Sequence, residues 1–166
     1  MNCSIYTNKS INIPFASGVV FLLFAILCEI AAIMILNHGV FTYTLDDPYI
    51  HMALAENILH GHYWINNTKY SSPSSSILWP FILAPLSSCE YFPLVINIIS
   101  AIATCYIFTK ITQLCCGDYV GNKLLSVYLM LLILLTNTIG LIFTGMEHSL
   151  QVLLVAMISY GLIIEI

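Results

Sequence analysis

The stretch FASGVVFLLFAILCEIAAIMIL, residues 15–36, carries a single charged side chain, Glu29, in an otherwise apolar or small-residue run. As a helix rising about 1.5 Å per residue it reaches roughly 33 Å, enough to cross the hydrocarbon core of a bilayer. It exceeds the apolar region of a signal peptide, and no small-x-small cleavage pattern follows it. The sequence therefore predicts a retained membrane anchor. The whole chain agrees, since 60% of its 166 residues are hydrophobic, 7% are charged and the mean hydropathy is +0.94. So few charges cannot cover an aqueous surface, whereas Leu, Ile and Phe face lipid without cost. A net charge of −4 with no basic stripe excludes nucleic acid as a partner.

Further apolar runs follow the first. Phe92–Leu114, with Lys110 near its end where the ammonium can snorkel, is read as a second span and Leu124–Phe143 as a third. Leu150–Ile164 begins a fourth but falls short of the roughly 20 residues needed to cross. Residues 1–166 are thus read as a single transmembrane domain, all-α and polytopic, with about four transmembrane helices and an outer loop with juxtamembrane helices over 38–91. The segment SILWPFILAPLSS, residues 76–88, is short and holds Pro80 and Pro85, so it is expected to be interfacial or re-entrant. Leaving it uncrossed puts Lys9, Lys110 and Lys123 on one side and Lys69 on the other, which predicts a cytoplasmic N-terminus. Residues 38–91 and the corner FTGMEHS, residues 143–149, then share the outer face. Of the cysteines, Cys28 and Cys105 lie in apolar runs and Cys115 and Cys116 are adjacent, a poor geometry for bridging, so they are read as apolar filler.

One polar interval stands out. LDDPYIHMALAENILHGHY, residues 45–63, holds two adjacent carboxylates and three of the chain's five histidines. Pro48 suits a first helical position and Gly61 the left-handed residue past a helix end, predicting a helix over about 48–60 in the interface plane. Ile50, Met52, Leu54, Ile58 and Leu59 would form its apolar face, and Glu56, Asn57 and His60 the other. His51, on the apolar face, is read as a packed histidine. Asp47 is then the N-cap, which leaves Asp46 as either a solvated loop residue or a general base or metal ligand. His60, His62 and His148 lack the spacing of a zinc site. A hard divalent cation on Asp46, Asp47 and Glu147 suits carboxylates better, and no other cofactor is implied. SSPSSS, residues 71–76, is read as a source of an ordinary cap for a helix starting at Ile77, or as a phosphate cradle. Lys69 is either a solvated lysine or that phosphate's counter-charge. Thr144 and Glu147 have the spacing of a capping box, with a metal or substrate role for Glu147 as the alternative. Glu29 is either functional or buried in its protonated form against another helix.

DDPYIHMALAENILHGHYWIN, then SSPSSSILWPFILAPL, then TGMEHSLQVLL resemble, in this order, the N-terminal part of bacterial integral-membrane glycosyltransferases of the GT-C class, over about residues 15–160. The resemblance implies inverting transfer of a sugar from a polyprenyl-phosphate donor to an acceptor at the outer face of the bacterial inner membrane. Asp46 or Asp47 would be the general base, the capping argument favouring Asp46. Lys69, Ser74, Ser75, Glu147 and His148 would bind substrate. Enzymes of this class differ in metal use, so a divalent ion stays open. They also carry more spans and usually a C-terminal outer domain, so the chain is expected to be an N-terminal portion, inactive unless a C-terminal part joins it. Membrane lipids, the donor and that part are the expected partners. The competing reading is a non-enzymatic multi-spanning protein, a transporter part or a truncated remnant. A transporter would place its polar groups mid-span, whereas here all but Glu29 gather at the membrane surface.

Overall fold

The computed structural model describes residues 12–65, 74–116 and 120–165. Within them every regular element is helical: α1 (Asn12–Leu36), α2 (Asp47–Leu59), α3 (Leu78–Leu83, continued by a 3-10 turn at Ala84–Leu86), α4 (Phe92–Cys116), α5 (Asn122–Leu135), α6 (Thr138–Phe143) and α7 (His148–Glu165). The protein is an all-α membrane protein. Ile13–Leu36 of α1, together with α4 and α7, are long and apolar enough to cross a bilayer, and α5 is a shorter apolar helix. The last span is longer than the apolar run alone indicates, because it starts at His148 and includes Glu165.

The threonines of α4 satisfy their hydroxyls within the helix, as lipid favours. In α4, Thr104 donates to the Ser100 carbonyl at 2.8 Å, Thr109 to Cys105 at 2.7 Å and Thr112 to Phe108 at 2.9 Å. The five described cysteines are all free.

The third apolar run is not one continuous span. It breaks between α5 and α6 at Thr136 and Asn137, and Asn137 adopts the left-handed conformation with φ of 50°. The Asn137 side chain lies over Gly140, so close that a Cβ there would stand 2.5 Å from Nδ2. Asn tolerates this backbone and Gly leaves room for its amide, which is why the break falls in the polar sequence TNT rather than among the leucines.

α4 packs most extensively on α7, and α1 on α5. The Phe15 ring meets Tyr106 edge-on at 5.6 Å, so the start of α1 lies beside the second half of α4 and the two run antiparallel. Lys110, over the Tyr106 ring at 5.6 Å, belongs to that end. The other end gathers residues 38–65, 74–91 and 143–149. Thr44 donates from its N–H and its hydroxyl to the Phe143 carbonyl, both at 3.1 Å. The Tyr43 hydroxyl donates to the Glu90 carbonyl at 2.7 Å and accepts from the Leu94 N–H at 3.2 Å, tying the loop after α1 to the start of α4. Burial holds that phenol well above its ordinary pKa, so it stays a neutral donor.

α2 ends as its sequence predicts. The His62 N–H bonds to the Asn57 carbonyl and the Gly61 N–H to that of Ile58, both at 3.0 Å, with Gly61 at φ +80°: a Schellman motif. Met52 and Leu54 are buried, Glu56 and His60 exposed, but Leu59 is exposed too, and the buried face is completed by Pro48, His51 and Ala55. α3, at about 9 Å of helical rise, cannot cross a bilayer. It lies against α2 with Trp79 and Leu83 fully buried.

Candidate functional site

The polar groups singled out in the sequence meet at this loop-bearing end. The N-cap of α2 is Asp46, not Asp47: its carbonyl accepts from Tyr49 N–H at 3.0 Å, its backbone is already helical at φ −84° and ψ −21°, and its carboxylate makes no capping bond. Asp47 is the first helical residue. Capping therefore does not set the two carboxylates apart. What does is environment, for Asp46 is exposed and Asp47 half-buried.

One turn along α2 from Asp47 stands His51, 2% exposed, with Nδ1 at 3.1 Å from the Ser74 hydroxyl. Ser74 also hydrogen-bonds to the Ser76 carbonyl, so the imidazole is joined through Ser74 to the turn that leads into α3. Burial lowers the His51 pKa below the ordinary 6.5, against the opposing pull of the Glu147 and Asp47 charges. A histidine whose folded pKa is depressed gives stability that is present above about 6.5 and is lost as pH falls below it, because the unfolded chain binds the proton first. Unfolding in detergent is expected to become easier as pH drops from 6.5, and His51→Gln should flatten that dependence. An unchanged profile in the variant would assign the dependence elsewhere.

Glu147, which caps no helix from a box, closes the cluster. The carbonyl of Glu147 accepts from Gln151 N–H at 2.9 Å as α7 begins, while the Thr144 hydroxyl donates back to Leu141 at 2.7 Å. The expected capping box between Thr144 and Glu147 is absent because Thr144 ends α6 instead of starting α7. Glu147 is 8% exposed; Oε1 accepts from Gln151 Nε2 at 3.4 Å and Oε2 has no partner. His148 Nδ1 lies 3.4 Å from Gln151 Oε1. Next to them Asn97 donates to the carbonyls of Met146 at 2.9 Å and Ile142 at 3.3 Å, leaving Oδ1 unpaired, as is the buried Ser149 hydroxyl.

Two interlocking contacts hold this corner on α2 and α3. Trp79 Nε1 donates to the Gly145 carbonyl at 3.2 Å, and Gly145, at φ +66°, sits so close to Pro48 and Tyr43 that a Cβ would stand 2.6 Å from Pro48 Cγ.

Other expected roles fall away or lie elsewhere. Among the described residues no three His, Cys, Asp or Glu side chains gather as a metal site. No serine caps α3, whose N-cap is Ile77 without a side-chain bond; Ser74 turns to His51 and Ser75 is exposed. Lys69 and Ser71–Pro73 lie outside the described residues. The Ser74–His51 pair has no carboxylate hydrogen-bonded to the imidazole, unlike the set that activates a serine nucleophile. His51 is packed and hydrogen-bonded, as its place on the apolar face of α2 predicts. Asn97 is the participant that sequence reasoning passed over.

Searches of protein-family models, curated proteins and solved structures return no match to this chain.

Proposed function

We propose that the chain is the N-terminal membrane portion of a GT-C-like glycosyltransferase, moving a sugar from a polyprenyl-phosphate donor to an acceptor at the outer face of a bacterial inner membrane, N-terminus inside. The observation that carries this reading is convergence. The Asp46–Asp47 pair, the Ser74–Trp79 segment and the Gly145–Glu147 corner are far apart in sequence, yet meet through the Trp79–Gly145 bond and the seating of Gly145 on Pro48. These are the segments that carry the resemblance. A structural remnant has no need to bury Glu147 with a free oxygen, because such a group costs stability.

In the proposed reaction the acceptor oxygen attacks the anomeric carbon as the bond to the polyprenyl phosphate breaks, and the electron pair leaves with the phosphate. Asp46, exposed and free of a capping bond, takes the acceptor proton. Asp47 and Glu147 lie near enough for their charges to act on His51, and in this reading Glu147, His148 and Ser75 bind substrate. Lys69, outside the described residues, is assigned to the donor phosphate by the resemblance alone.

The test is a photoreactive polyprenyl-phosphate sugar added to the chain in lipid vesicles. Labelling should concentrate on peptides spanning residues 41–60 and 143–151, be displaced by unlabelled donor, and fall at least about tenfold in Glu147→Gln. Labelling spread over all apolar helices, or displaced equally by a polyprenol without phosphate and sugar, would overturn the reading.

A further inference from the structure

Glu29 is the one acidic side chain inside α1, and it is exposed, with no hydrogen-bond or charge partner among the described residues. By helical rise it stands about 10 Å below the end of α1, within the hydrocarbon. Burial against another helix, one of the two readings the sequence allows, is not seen among the described residues, and the fold explains why. On the same side of α1, Leu22 is 0% and Ile26 3% exposed, and Gly18 stands against Leu129 of α5. α1 and α5 run parallel, since α4 is antiparallel to α1 and α5 follows α4. From Gly18 opposite Leu129, α5 reaches its break at Thr136 by the level of Ala25. Beyond that level α6 packs more on α4 and α7 than on α1, and the row that begins as an internal contact emerges at Glu29. Around it Ala25, Cys28 and Ala32 are small, and Cys28 and Ala32 are exposed, so a helix backbone can approach closely.

We propose that Glu29 is the contact point for a transmembrane helix of another protein that presents an arginine or lysine at the same depth. A carboxylate facing lipid is stabilised by an opposite charge held against it, and polar side chains within a bilayer are found paired. A second copy of this chain does not supply that charge. Among its described residues it offers no base at the depth of Glu29, since Lys110 sits beside Tyr106 at the end of α4 that meets the start of α1, and Lys123 stands at the start of α5. The contact is independent of the site at the loop-bearing end and of what that site does.

A photo-crosslinking amino acid placed at Ala32 of the whole chain, in the membranes of its native host, tests the contact. The expected product joins the chain to a second polypeptide whose linked peptide, read by mass spectrometry, is a transmembrane segment with an arginine or lysine. Glu29→Leu should lower its yield at least about fivefold while insertion is unchanged, and Glu29→Asp should retain it. The same probe at Leu27, on the far side of α1, should give no such product. Exchanging the charges, Glu29→Lys with the partner's base changed to Glu, should restore it. A product joining two copies of this chain, a partner helix without a base, or a yield indifferent to Glu29→Leu would each overturn the proposal.

Discussion

Gly145→Ala is expected to unseat the corner between α6 and α7 from α2 and to cost about 2–5 kcal/mol, the sum of a left-handed backbone forced on an L side chain and of overpacking. Both parts are visible. The residue has φ of +66°, and a Cβ there would lie 2.6 Å from Pro48 Cγ and 2.7 Å from Tyr43 Cδ1. Relief is hard to find, because the proline ring is rigid and Tyr43 is held at both ends, its N–H by the Tyr49 hydroxyl and its own hydroxyl by Glu90 and Leu94. The informative control is Gly161→Ala on α7, where a Cβ meets nothing within 4 Å and the backbone is helical, so stability should hold or rise slightly. Thermal unfolding in detergent and protease cleavage between residues 41 and 60 read both variants. Equal midpoints for the two would mean that the corner does not rest on Pro48.

Trp79→Ala is expected to cost about 3–5 kcal/mol, the range for emptying a fully buried large aromatic site. Trp79 is 0% exposed, and its indole N–H is the donor to the Gly145 carbonyl. Trp79→Phe separates the two contributions: most of the ring volume stays and the hydrogen bond goes, so the loss should fall to about 0.5–1.5 kcal/mol. Faster proteolysis of residues 47–65 should accompany Trp79→Ala, since α3 is the surface on which α2 rests. If the alanine variant unfolds like the parent, the joint between α3 and the corner is not what assembles this end.

How much of this was legible beforehand differs from element to element. Phe15–Leu36 and Phe92–Leu114 could be read as spans because a bilayer demands one property, uninterrupted apolarity over a known length, and that property is local. Gly61 could be read as a helix stop for a similarly local reason: the left-handed residue of a Schellman motif is set by one missing Cβ. The N-terminus of α2 was misplaced by one residue. Pro48 tolerates either of the first two helical positions, so it does not say which of the preceding carboxylates is the cap. The break at Asn137 was hidden for the opposite reason, since Leu124–Phe143 is apolar enough to cross whole and the polar triplet is only a weak warning.

The sequence by itself determined the class of the protein, helices in a membrane with their polar residues collected near the ends, because transfer of apolar surface out of water depends on composition and not on partners. Only the tertiary structure decided which polar residues matter to one another. That His51 is held neutral beside Ser74, that Glu147 is buried with an oxygen unpaired, and that Glu29 emerges where α5 breaks are all consequences of contacts between residues distant in the chain. Burial and charge act through space over a few ångströms, and no spacing along a sequence records which residues the fold will bring within that range.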